Sequence, residues 1–364
     1  MRDLPPEKEI VLRRARMTKA AALLLAGSLA MAACASDEEP TSAGGETGGA
    51  AADGPKIGLA FDTGGEGDRS FNDSAVAGVE AAIEANGGEV AKLSPNDDGS
   101  NRADLLTQLA DQGYDPIIAV GFAYSDVIGE IAEQYPDVTF AQVDGAVEDA
   151  GSPENLTGLL FAEEQGSFLA GVAAATKTEA DHVGFVGGVE TPLIQKFQAG
   201  FEAGVEAVDP AIQVDSQYIS PAGDFSGFND PARGQIVAQG MYDAGADIVY
   251  HAAGGSGIGV FQAAAASGGR AIGVDSDQYQ TVDDPALQAV IMTSMLKRVD
   301  NAVEQFIGDY AEGDVAGGEN QVYDLESEGV GLSTSGGFID DIQDVIDDYR
   351  QQIIGGEIEV PTTP

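Results

Sequence analysis

Residues 62–74 concentrate groups able to hold a small polar ligand. They carry the carboxylates Asp62 and Asp68, the amide Asn72 and one aromatic ring, Phe71, with Gly64, Gly65 and Gly67 among them. An ionised carboxylate accepts hydrogen bonds, an amide donates and accepts, and a ring offers a flat apolar face. The glycines permit tight turns or a close approach of backbone to ligand. A loop that only had to turn has no use for an exposed phenyl ring. The competing reading is that Phe71 folds back as a staple on the helix that follows, and the stretch by itself leaves both open.

Further candidates follow other apolar runs: Asp144, Gly254 and Asp275, with Lys297 closing the run 289–296 and placed to pair with Asp275. In parallel α/β sheets, ligands bind beyond the carboxyl ends of the strands. Carboxylates and glycines at several such ends suit a polar, uncharged ligand held by multiple hydrogen bonds. Catalytic chemistry has little to draw on. The only histidines are His182 and His251, and neither H-x-x-x-H nor C-x-x-C spacing occurs. The phosphate-cradling G-x-x-x-x-G-K-[ST] is missing as well. The stretch Gly254-Gly-Ser-Gly257-Ile-Gly259 offers backbone N–H groups, but Val260 stands where a dinucleotide fingerprint needs glycine. No cofactor and no metal are expected.

These residues need a scaffold, and the chain supplies a regular one. Apolar runs at 56–61, 89–93, 116–120, 138–143 and 156–161 alternate with helical patterns at 74–85, 102–112 and 125–134, followed by a small-residue helix at 165–178. The helix at 74–85 is expected to take Asn72, Asp73 or Ser74 as its cap. The pattern restarts with strands at 182–187, 212–219, 247–252, 270–274 and 289–296 and helices at 193–208, 231–244 and 258–267. Strand–helix alternation predicts βαβ units and parallel sheets, and the restart predicts two similar α/β lobes. A helix at 299–310, short strands at 321–325 and 329–333 and an amphipathic helix at 338–354 can cross back between them. The expected division is 56–162 plus about 297–320 for one lobe, and 163–296 plus about 321–364 for the other.

The 364 residues carry 61 acids against 17 bases, a formal charge of −44. Such a field repels phosphates, which argues against nucleic acid and against anionic ligands. Cys34 is the single cysteine, so no internal disulfide forms. It follows a basic segment (Arg13, Arg14, Arg16, Lys19), an apolar stretch at 20–33 and the small residues Ala32 and Ala33. That stretch falls short of the roughly 20 residues that span a bilayer, so 1–33 reads as an export signal, with Met17 as an alternative start. Residues 34–55 read as a flexible tether.

Several motifs together carry a resemblance. Asp62-Thr-Gly-Gly with Asp68-Arg-Ser-Phe-Asn72, Asp144-Gly145, Glu190-Thr-Pro-Leu-Ile-Gln-Lys-Phe197, Asp230-Pro-Ala-Arg-Gly234, Gly273-Val-Asp-Ser-Asp-Gln278 and Lys297-Arg-Val-Asp300 resemble the basic membrane protein family, bacterial nucleoside-binding lipoproteins of the purine-nucleoside receptor type. The leader resembles a lipobox, with Met31 where leucine is usual. The family's name describes basic proteins, and this chain departs from it in its acidic surface. The resemblance implies a two-lobed type I periplasmic-binding-protein fold with a nucleoside, purines expected, in the cleft. It implies delivery to an ABC importer whose permease and ATPase are separate chains, and a lipid on Cys34 that holds the protein on the extracytoplasmic face of the membrane. It places Asp62 and Asn72 at the nucleobase and Asp144 near it. Phe71 stacks on one face of the base and Phe228 on the other, with Phe225 as a second candidate. Gly254 lies at the cleft backbone, and Asp275 and Lys297 at the ribose hydroxyls. Two other readings stay open: a sugar or signalling-molecule receptor on the same fold, and a nucleoside-cleaving enzyme that activates water with Asp62 or Asp144.

Overall fold

The computed structural model describes residues 54–364; the expected export signal, Cys34 and all but the end of the expected tether lie outside the described residues. In the first lobe, β1 (Lys56–Ala60), β2 (Glu89–Leu93), β3 (Ile117–Val120), β4 (Phe140–Val143) and β5 (Leu156–Phe161) form one sheet. In the second, β6 (His182–Val189), β7 (Gln213–Ser220), β8 (Ile248–Ala252), β9 (Arg270–Asp275) and β10 (Ile291–Lys297) form another. Two late strands complete them: β11 (Asn320–Tyr323) joins the first sheet and β12 (Val330–Leu332) the second. The strand orders are β11-β5-β4-β3-β1-β2 and β12-β10-β9-β8-β6-β7. Neighbours in the first sheet are all parallel; in the second only β12 is antiparallel, against β10. The inner strands β3, β4 and β8 are buried along their whole length. Parallel strands covered on both faces need apolar side chains on both, which is why these runs show no alternation.

The helices run α1 (Phe71–Asn86), α2 (Arg102–Asp111), α3 (Ser125–Gln134), α4 (Glu163–Lys177), α5 (Pro192–Val208), α6 (Pro231–Ala244), α7 (Gly257–Ser267), the single turns α8 (Gln278–Thr281) and α9 (Pro285–Gln288), α10 (Val299–Glu312) and α11 (Gln343–Ile354). α10 returns from the second sheet to pack on α1, and α4 packs on α5. A buried apolar core therefore runs from β1 and α1 through α10 and α4 into β6 and α5. Each large side chain buried there contributes about 1.5–3 kcal/mol.

The chain crosses between lobes after β5, after β10 and again between β11 and β12. Because β11 pairs with β5 through Tyr323, residues 321–323 belong to the first sheet. The last crossing comes after them, not near 320 as the sequence suggested. The expected continuous helix at 338–354 also differs. Two short 3-10 turns occupy Ser335–Gly337 and Asp340–Ile342, and the α-helix begins only at Gln343. Ile339 and Ile342 are buried three positions apart, the spacing that one tight turn places on the same side.

Candidate functional site

The carboxyl ends of both sheets open onto one cavity, with about 540 Å³ of empty space counting its mouth. Asp62, Phe71, Asn72 and Asp144 line it from the first lobe, and Phe228, Gly254, Asp275 and Lys297 from the second. Asp68, Phe122 and Phe197 line it too. Asp144 and Asp275 are related by the architecture, since each ends the third strand of its sheet in the orders above. Both adopt left-handed backbone, with φ of 64° and 63°. A non-glycine residue held there costs on the order of 1–3 kcal/mol, and aspartate is among the residues that tolerate it best. The turn aims each carboxylate into the cleft.

Asp62 is fixed by partners far along the chain. Its Oδ1 accepts from the Thr63 backbone N–H at 2.7 Å and from Arg102 Nη2 at 3.2 Å. Arg102 also donates to Thr63 Oγ1, and its guanidinium lies over the rings of Tyr124 and Phe225 at 5.6 and 5.3 Å. Gly121 makes room for the other oxygen: its φ is 107°, and a Cβ there would stand 2.4 Å from Asp62 Oδ2. Burial pushes the Asp62 carboxyl above the usual range, while Arg102 pulls it back. The sequence did not single out Arg102, because an arginine opening an amphipathic helix reads as a solvated residue.

Asp68 turns out to organise the loop. Its Oδ1 accepts from the N–H groups of Ser70 and Asp73, at 2.9 and 3.2 Å; its Oδ2 accepts from Asn72 N and Nδ2, at 2.9 and 3.0 Å. It thereby satisfies N–H groups that a helix start leaves without partners. That is why α1 begins at Phe71, three residues before the expected start, with none of Asn72, Asp73 or Ser74 as the cap residue. Asn72 is drawn into the same brace, since its Oδ1 accepts from the Asp62 N–H at 2.9 Å. Burial raises the Asp68 carboxyl to about 6 in spite of its N–H donors.

Lys297 does not pair with Asp275 as the sequence suggested. Its Nζ donates to Asp144 Oδ2 at 2.6 Å and lies 3.0 Å from Glu163 Oε1. Asp275 instead accepts from Ser70 Oγ at 2.6 Å. The reason is convergence: β4, the start of α4 and the end of β10 meet at the hinge, so two carboxylates reach the ammonium first. The rings of Phe161, Phe71 and Phe197 surround Nζ at 5.0, 5.2 and 5.5 Å, close enough for cation–π attraction. Glu163 also lies 3.3 Å from Lys196 Nζ. Burial, with Glu163 and Asp275 adding to it, pushes the Asp144 carboxyl above the usual carboxylate range, against the pull of Lys297. Glu163 escaped sequence reading because an acid in the first turn of a helix has an ordinary explanation in the helix dipole.

The rings divide cleanly. Phe228 lines the cavity, and Gly188 leaves it space, since a Cβ there would stand 2.4 Å from its Cδ1. Phe225 packs 5.7 Å from Phe122 and over Arg102, on a wider outer groove. Neither histidine lines the cavity. His182 Nε2 lies 2.9 Å from Asp215 Oδ2, and His251 is buried with Nε2 3.0 Å from Gln278 Oε1.

Residues 56–364 match the family described as ABC transporter substrate-binding protein, PnrA-like (Bmp). The chain belongs to the Bmp family. This Bmp protein is 38% identical over 329 residues to the CD4+ T-cell-stimulating antigen of Listeria monocytogenes, across 85% of this chain and 88% of the relative. It is 32% identical over 323 residues to the ABC transporter nucleoside-binding protein BmpA of Lactococcus lactis, across 84% and 89%. A solved ABC transporter solute-binding protein from Aeropyrum pernix superposes with a TM-score of 0.72 at 28% identity, covering 85% of this chain and 93% of its own. The Bmp protein is thus an ABC transporter substrate-binding protein with the two-lobed fold.

Proposed function

We propose that this Bmp protein captures nucleosides, purines foremost, in the interlobe cavity and delivers them to the permease and ATPase of an ABC importer. The observation that carries the reading is that Phe71 and Phe228, from opposite lobes, share one cavity with the carboxylates of Asp62, Asp144 and Asp275. The nucleoside-binding relative in Lactococcus lactis supports it. In this reading the base lies between the two rings, gaining about 1–3 kcal/mol per stack. Asp62, Asn72 and Asp144 stand at the base, Gly254 offers backbone, and Asp275 and Lys297 take the ribose hydroxyls. Carboxylates accepting from N–H and O–H groups form the stronger, charge-assisted bonds. A 5′-phosphate meets the same carboxylates, so nucleosides are preferred to nucleotides. The protein acts as a receptor and leaves the glycosidic bond intact. A lipid on Cys34 and the tether at 34–55 hold it on the outer face of the cytoplasmic membrane.

Calorimetric titration of the mature protein with nucleosides, their 5′-monophosphates and free sugars tests this. Nucleosides bind, monophosphates bind at least about tenfold more weakly, and sugars do not compete. A sugar that binds where every nucleoside fails overturns the reading. Prolonged incubation with inosine releases no ribose; release makes the protein an enzyme. Cys34→Ser moves the protein from the membrane to the soluble fraction, and unchanged membrane retention refutes the anchor.

A further inference from the structure

Charge in and around the cavity is unbalanced. Five carboxylates gather there, those of Asp62, Asp68, Asp144, Glu163 and Asp275, and the side chains of Asp144 and Glu163 are 3% and 1% exposed. Three cations face them. Arg102 contacts Asp62, Lys297 is shared by Asp144 and Glu163, and the more exposed Lys196 contacts Glu163. Among the described residues Asp68 and Asp275 contact no cation. Asp68 is met by N–H groups and Asp275 by the Ser70 hydroxyl. Phe71, Phe122, Phe197 and Phe228 supply aromatic walls to the same space. Ring faces attract cations, more strongly where water is excluded, and buried charges are screened less than surface ones.

We infer that the cavity selects nucleosides whose base carries a formal positive charge, such as N-methylated purines, over neutral nucleosides of the same shape. The inference rests on the nucleoside reading above. A cationic base set among those rings gains from the ring faces and from the excess carboxylate charge together. Lys297 opposes it little, because two carboxylates already hold its ammonium. A neutral base leaves the excess to be met by protons, the direction in which Asp144 and Asp68 are already pushed.

The test compares, at neutral pH, 1-methyladenosine, which is cationic there, with 1-methylinosine, its neutral twin in outline, and with guanosine as reference. The mature protein is titrated calorimetrically with each. The cation binds at least about tenfold tighter than its neutral twin. In Asp62→Asn, which removes one carboxylate charge and leaves Arg102 uncompensated, that ratio falls. Equal or weaker binding of the cation, or a ratio unchanged in Asp62→Asn, overturns the inference. Exclusion of both methylated probes while guanosine binds overturns it as well, and leaves the nucleoside reading standing. If guanosine and both probes all fail, the nucleoside reading itself falls.

Discussion

Phe71 reconciles two readings that look exclusive in the sequence. It opens α1 and packs partly on the core, as a staple would, yet it also lines the cavity and lies over the Lys297 ammonium. Phe71→Ala should weaken nucleoside binding about tenfold or more, at about 1.4 kcal/mol per tenfold, while a cooperative unfolding transition persists; unchanged affinity refutes the stacking role. His251 makes a separate prediction about stability. Burial lowers its pKa from 6.5 to about 4. Between those values the unfolded chain holds the extra proton, so the contribution of His251 to stability falls as pH drops through the window. The total loss is roughly 3 kcal/mol, from 1.36 kcal/mol per pKa unit. Denaturant unfolding at neutral pH and at the foot of that window should show a shallower acid loss for His251→Asn, and equal losses contradict the assignment. Among single residues, those that end strands were legible: Asp62, Asp144, Asp275 and Lys297 each follow an apolar run. Their partners were not. Arg102 reaches Asp62 across 40 positions and Asp144 reaches Lys297 across 153, separations that no local pattern encodes.

At the scale of elements, the start of α1 interlocks with the turn from β9 to α8. Ser70 Oγ donates to Asp275 Oδ2, Ser276 Oγ donates to Ser70 O at 2.9 Å, and Gln278 Nε2 donates to Arg69 O at 3.1 Å. Arg69 adds an ion pair with Asp283 at 2.8 Å. Every one of these bonds joins the two lobes, and Phe71 and Asp275 at its flanks line the cavity. Ser70→Ala should therefore speed ligand release several-fold and leave association nearly unchanged, since one hydrogen bond contributes about 1 kcal/mol; stopped-flow dissociation that matches the wild type contradicts the latch. Strand and helix existence was readable from periodicity for nearly all of these elements. Ends were less so. α1 starts early because Asp68 reaches forward to its N–H groups, and β11 joins the first sheet through long-range pairing that an apolar run does not specify.

The whole molecule repeats one plan twice, and the restart of the strand–helix pattern near 182 made that visible in the sequence. What the pattern could not show was that the two sheets place Asp144 and Asp275 at matching strand ends, or that the hinge gathers Lys297 and Glu163 between them. Closure of the lobes around a nucleoside is the state an importer is expected to receive. A crystal structure of the mature protein grown with guanosine tests this most directly. The predicted result is a base between Phe71 and Phe228, with the ribose hydroxyls toward Asp275 and Lys297. Guanosine seated only in the outer groove beside Phe225, or an inner cavity that stays free of it at saturating concentration, would contradict binding between the lobes.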